Sequence, residues 1–197
     1  MKKSITLFIL LIHCFSQAQF FETTEENITT GPKMYQGKFK TLSTTAVAQK
    51  EGSAAELYQK AINWVNESYK SPEDVIKGKI ENEYLKINGS VNGLMTVYLL
   101  GVPTGYDGRY TIEFRFKDGR FKTDIVNTEI YFPSSKYSAD GWKNHTLTYR
   151  VANRKGKPDK GGLASYELAN SYFNSIVNDI VNYAPGKSNS SANNDDW

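Results

Sequence analysis

Cysteine and histidine are nearly absent from this chain of 197 residues: there is one Cys, Cys14, and two His, His13 and His145. So few soft ligands exclude a zinc site of the usual Cys/His spacing, and no metal or cofactor is expected. Proline is scarce, with 6 residues, and long apolar runs are missing. The longest, over residues 5–12, is far below the ~20 residues a spanning helix needs, so no transmembrane anchor is expected. No Gly-x-x-x-x-Gly-Lys-Ser/Thr phosphate cradle occurs. What is present, 39% hydrophobic, 23% charged and 13% aromatic residues, is enough for a core with a polar surface and rules out a disordered or collagen-like chain.

Lys2 and Lys3, the apolar run and Ser16-Gln17-Ala18 read as a secretion signal over residues 1–18, with small residues at −3 and −1 of a cut after Ala18. The protein is therefore expected to be exported, periplasmic or secreted. Lipid attachment at Cys14 is disfavoured, because bulky His13 stands where a lipoprotein motif wants a small residue. Cleavage removes Cys14, leaving no disulfide, and removes Lys2 and Lys3, which lowers the net charge from +3 to +1. A near-neutral exported chain has no broad attraction for nucleic acid, and none is expected as a partner. Five Asn-x-Ser/Thr triplets, at Asn27, Asn66, Asn88, Asn144 and Asn189, read as chance occurrences in a chain with a bacterial signal.

About 150 residues per domain leaves room for one. Residues 19–37 read as a flexible leader, 38–186 as a single domain and 187–197 as a disordered polar tail. Within the domain, Ser53-Ala54-Ala55-Glu56 is a capping box. It opens a helix whose stripe is Leu57, Ala61, Ile62, Val65 and Tyr69, with Trp64 at its border, and Ser71-Pro72 ends it. A second helix is expected over 163–184, with Tyr166, Ala169, Phe173, Ile176, Val177, Ile180 and Ala184 on one face and Pro185-Gly186 as the stop.

Between the helices the period becomes two. Tyr110, Ile112, Phe114 and Phe116 alternate with polar residues up to Asp118-Gly119, a pair that favours a type I′ hairpin turn. Pairing Lys117 with Arg120 sets Phe116 opposite Phe121, Phe114 opposite Thr123 and Ile112 opposite Ile125. The other face then pairs Arg115 with Lys122 and Glu113 with Asp124, like charges offset by the diagonals Arg115–Asp124 and Glu113–Lys122. Residues 75–81 and 84–91 read as a second hairpin, 94–100 as a further strand, and 39–47 as a strand before the first helix. Residues 101–108 read as a connecting loop, and 133–162 as a long excursion with one short strand at 146–151. Arg154-Lys155-Gly156-Lys157 reads as solvated loop. Together these elements describe an α+β fold, an antiparallel sheet of about five strands with two helices packed on one face.

That order, with Leu57-Tyr58-Gln59-Lys60-Ala61-Ile62-Asn63-Trp64 and Tyr110-Thr111-Ile112-Glu113-Phe114-Arg115-Phe116-Lys117-Asp118-Gly119-Arg120-Phe121, resembles a secreted bacterial domain-of-unknown-function family with a TATA-box-binding-protein-like fold. The resemblance implies a β-α-β-β-β-β-α order over residues 39–132 and the closing helix. It implies no activity, since a fold does not carry its function with it.

No catalytic constellation emerges. A Ser-His-Asp triad would need His145, in a segment where nothing positions it, and Glu81 and Glu83 flank a turn where exposed carboxylates are ordinary. The expectation is a non-catalytic binding module contacting an envelope protein or glycan. Its candidate contacts are Glu113, Arg115, Lys122 and Asp124 on the open sheet face and the aromatics Tyr106, Tyr137 and Trp142 in the loops. The alternative is a small cell-wall or glycan hydrolase using surface carboxylates such as Glu113 and Asp124, which requires a cleft and separated pKa values.

Overall fold

The computed structural model describes residues 19–135 and 139–184. The signal at 1–18 with Cys14, the candidate Tyr137, the Pro185-Gly186 stop and the tail at 187–197 lie outside the described residues. In chain order the elements are β1 (Thr23–Ile28), a single 3-10 turn (Lys33–Tyr35), β2 (Gly37–Leu42), β3 (Thr45–Gln49), α1 (Ala54–Ser68) and the short α2 (Pro72–Val75). There follow β4 (Ile76–Ile80), β5 (Tyr84–Leu99), β6 (Val102–Lys117), β7 (Arg120–Phe132), β8 (Gly141–Asn144), β9 (Thr148–Asn153) and α3 (Lys160–Val181).

The antiparallel hairpin at the centre has the register its alternation dictates. Phe116 faces Phe121, Phe114 faces Thr123 and Ile112 faces Ile125. The turn between them is not type I′, which needs positive φ at both residues; only Gly119 has it, at 76°. Asp118 is instead recruited by the neighbouring helix: its carboxylate accepts the Ala54 N–H at 2.8 Å, while the Gly119 N–H donates to Gly52 O at 2.9 Å. The start of α1, with its Ser53–Glu56 capping box complete, is thus tied to the tip of the hairpin it covers.

The main sheet runs β3-β7-β6-β5-β4, with β8 also on β7, making six strands where about five were expected, and α1 and α3 lie on its one apolar face. The buried residues of α1 are Leu57, Tyr58, Ala61, Trp64 and Val65, a stripe turned toward Tyr58 and Trp64 relative to the one expected. Tyr58 stands edge-on to Phe116 at 5.6 Å. The stripe of α3 matches expectation from Tyr166 to Ile180, although the helix begins at Lys160 and ends before Ala184. Under it Tyr110 is fully buried, its hydroxyl sharing hydrogen bonds with Tyr69 (2.7 Å) and Tyr172 (2.8 Å), and burial drives its pKa well up.

Four readings of the sequence are corrected. Residues 19–37 are not a flexible leader: β1 pairs along β2, Phe21 is completely buried beside Phe173, and Asn174 Oδ1 accepts the Phe20 and Phe21 N–H groups at 2.6 and 3.0 Å. The signal was missing because β1 buries neither face, so it carries no alternation. The strand expected over 39–47 is two strands in different sheets, since β2 joins β1 and β9 in a separate three-stranded sheet. Residues 101–108 are strand, not loop: β5 and β6 are single 16-residue strands interrupted by a register shift between Val91 and Met95. Gly108 permits this, because a Cβ there would lie 2.4 Å from Leu94 Cδ2. Finally, the 133–162 excursion contains both β8 and β9.

Because Phe21 anchors the leader, Phe21→Ala should cost about 3–5 kcal/mol, read as a lower urea midpoint at unchanged m value. A stability equal to wild type would restore the flexible-leader reading.

Candidate functional site

The sheet face away from the helices carries Glu113, Arg115, Lys122 and Asp124 together, as their alternation requires. Arg115 bridges the two carboxylates, with Nη2 at 2.9 Å from Glu113 and Nη1 at 2.5 Å from Asp124. Lys122 reaches Asp124 on its own strand at 2.8 Å rather than the expected diagonal to Glu113, which takes Lys86 from β5 at 3.4 Å. Burial works to raise the Asp124 pKa, but hydrogen bonds from Lys122 and Thr45 and the charges of Lys122 and Arg115 outweigh it and hold the carboxyl below its ordinary value. These four candidates therefore satisfy one another.

Trp142 joins the same face further along β7. Arg109 lies over its ring at 4.6 Å and pairs with Glu129 at 2.6 Å, while Tyr131 meets Trp142 edge-on at 5.4 Å. Tyr106 is elsewhere. It shares the face of Tyr110, two places along the alternation of β6, and packs on Phe132 at 5.4 Å. The aromatic candidates do not form one surface.

A feature not anticipated from sequence is a groove of about 850 Å³ between the two sheets. Its walls include Met95, Thr96, Val97 and Tyr98 in succession on β5, and Thr148, Tyr149 and Arg150 in succession on β9. Side chains of a strand alternate between faces, so consecutive residues can share a groove only where the strand presents its edge. Both are edges here: β4 pairs with β5 only as far as Ile87, and β9, paired with β2 on one side, is bridged on the other only at Val151–Asn153, by residues 157–159.

The first turns of α3 close the end of the groove. A Cβ at Gly162 would fall 1.9 Å from Arg150 O and one at Gly161 would fall 2.8 Å from Thr96 O, so only glycine lets the helix touch both strands. Ser165 Oγ accepts the Thr96 N–H at 2.8 Å and donates to Gly161 O at 2.8 Å. Asp159 caps the helix through the Gly162 N–H at 3.1 Å and takes the Arg150 guanidinium at 2.9 and 2.7 Å. The helix N-terminus is thereby occupied by the chain's own carboxylate. The Gly161-Gly162 pair at a helix start was the one sequence sign of this closure.

His145, expected to lie unpositioned in a loop, is held between β8 and β9. Its backbone N–H donates to Thr128 O at 2.8 Å, and its ring lies 5.2 Å from that of Tyr149. Both residues line the groove, and His145 Nε2 and Tyr149 Oη are buried without hydrogen-bond partners. Burial lowers the His145 pKa and raises that of Tyr149.

No protein-family model matches the sequence, and the comparison with curated proteins finds no match either. Among solved structures, the chain is similar to a DUF4468 family protein from Bacteroides ovatus ATCC 8483, at 14% identity and a TM-score of 0.51, over 75% of this chain and 90% of that one. A TBP-like protein from Parabacteroides distasonis ATCC 8503 aligns at 11% identity and a TM-score of 0.45, over 69% of this chain and 87% of that one. What the chain shares with the DUF4468 family protein is the α+β fold.

His145 supplies a pH-dependent check on the geometry. The unfolded imidazole titrates near ~6.5, whereas the buried one titrates lower. The unfolded chain then takes up the proton first, so stability is complete above about pH 6.5 and declines as pH falls through the window between the two values. In a chain carrying His13→Asn, the remaining imidazole should show an NMR midpoint below about 6.5; an exposed, unshifted imidazole would contradict the burial.

Proposed function

We propose that this chain is an exported, non-catalytic binding module of the bacterial envelope that holds an extended segment of a partner protein between β5 and β9. The observation that carries this reading is one groove faced by the edge of β5 and by the part of the β9 edge that residues 157–159 leave uncovered. Such edges offer backbone donors and acceptors to an added strand, while side chains on either side supply selectivity. The Thr96 N–H, which Ser165 Oγ already accepts, points away from β6. By alternation so does that of Tyr98, whose neighbour on β6 is Pro103, a residue with no N–H to give. Export rests on the signal read at residues 1–18.

The hydrolase alternative draws no support from its own carboxylates. Glu113 and Asp124 are both held by cations. The Asp124 carboxyl, held below its ordinary pKa, is poorly placed to act as a general acid near neutral pH, where that role calls for a raised pKa. Among the described residues no helix is long and apolar enough to cross a membrane, and no group of three His, Cys, Asp or Glu could hold a metal ion.

Cross-linking capture from the cell envelope tests the reading. The wild-type chain should retain a stoichiometric protein. Tyr98→Pro, which removes one outward N–H, should lose it at an unchanged melting temperature, whereas Glu113→Gln with Asp124→Asn should not. Capture lost only in the carboxamide variant would move the contact to the polar sheet face, and capture of glycan alone would overturn the protein-segment reading.

A further inference from the structure

We propose that the tip of the β5–β6 arm, together with the basic turn across the groove, docks on an anionic lipid bilayer. This goes beyond the groove's role and does not depend on what occupies it. The arm is a two-stranded projection: β7 pairs with β6 only from Gly108 onward, and β4 leaves β5 at Ile87. Its turn is Leu100-Gly101, with φ of 50° and 87°. A turn with both residues in the left-handed region favours Asn, Asp or Gly at its first position, because a branched side chain crowds the backbone there. Leu100 adopts that conformation while fully exposed, so no burial within the chain offsets the strain.

Its neighbours extend the mismatch. Leu99 and Val102 are more than half exposed, at 51% and 62%, and Tyr98 is 41% exposed. Leucine at such a turn costs the free protein backbone strain and leaves an apolar side chain in water. The choice makes physical sense where the tip enters an apolar medium.

The charge around the tip identifies the medium. Arg154, Lys155, Lys157 and Lys160 are exposed and make no ion pair among the described residues. Asp159, the one acid within this run, is already taken by Arg150. Lys157 and Lys160 border the same groove as Tyr98 and Gly101, so the cations stand across from the apolar tip. In a chain whose net charge is only +3 with its leading segment included, this is a local concentration of positive charge. Apolar tip and unpaired cations together match a surface with an oily interior and a negative face. Flexible ammonium groups suit lipid headgroups, which move to meet them, better than the fixed carboxylates of a folded partner. Tyr98 and the exposed Tyr35, also on the groove, have the amphipathic character that settles at headgroup depth.

Vesicle co-sedimentation tests this with the chain from Gln19 onward, which holds every described element, so that the apolar signal segment takes no part. Binding is expected to vesicles containing phosphatidylglycerol and not to pure phosphatidylcholine, and it should weaken with salt. Replacing Arg154, Lys155 and Lys157 by Gln together should weaken it on the order of a hundredfold, and Leu99→Asp with Leu100→Asp by about tenfold or more. Leu100→Asn separates docking from folding: it suits the turn, so the melting temperature should hold or rise while vesicle binding falls. Three results would overturn the proposal: no binding to anionic vesicles, equal binding to neutral ones, or binding untouched by the tip and turn variants. Capture of a protein through the tip without vesicle binding would overturn it as well.

Discussion

Close contact between the start of α3 and two different strands is what makes one molecule of two sheets. Gly161 lies against Thr96 of the main sheet and Gly162 against Arg150 of the small one, at distances that no Cβ could enter without displacing backbone. Backbone cannot yield as a flexible side chain can, so this junction has little tolerance. Around it the polar groups are fully used: Ser165 serves Thr96, and Asp159 both caps the helix and holds Arg150. The groove exists because the helix meets β5 and β9 at this end and holds their edges apart along the rest.

The second tie between the sheets is apolar and comes from the start of the described chain. Phe21 is buried against Phe173 of α3, and Asn174 of the same helix receives the N–H groups of Phe20 and Phe21. From there β1 runs along β2, with Glu25 paired to Lys38 and Lys40. One face of α3 thus organises both sheets. The Tyr69–Tyr110–Tyr172 hydroxyl chain lets three large polar-tipped rings share one interior without an unsatisfied oxygen.

The two surfaces considered for contact differ in how their polar groups are matched. On the sheet face, Arg115, Lys122 and Lys86 answer Glu113 and Asp124, and Arg109 answers Glu129 while covering Trp142. Bringing a partner there would mean separating ion pairs or desolvating them. The groove side is the opposite: the strand edges are only partly covered, His145 Nε2 and Tyr149 Oη are unmatched, and the arm exposes Leu99, Leu100 and Val102. Two of the three unmatched buried side-chain groups among the described residues lie where the two sheets fail to join, as does the exposed apolar tip, and both functional readings fall at that end.

Much of the fold was legible because local periodicity and burial agree in it. The β6–β7 register follows from Phe114, Phe116 and Phe121 needing one face. The start of α1 follows from Ser53 and Glu56, and the stripe of α3 from Tyr166 to Ile180. The charged sheet face followed as the complement of the apolar one. Where burial is absent or glycine interrupts the alternation, the pattern was silent: β1 buries neither face, and the glycines of β6, required by Leu94 and Gly93 across the strand pair, read as loop. Local sequence determined the helices, the central hairpin and its polar outer face, since each depends on neighbours three, four or two residues away. Only the tertiary structure decided that β2 and β3 part into separate sheets, that Asp118 turns to α1 rather than completing a type I′ turn, and that Gly161 and Gly162 bring Thr96 and Arg150 together. Those outcomes depend on contacts between residues far apart in the chain, where no periodicity links one partner to the other.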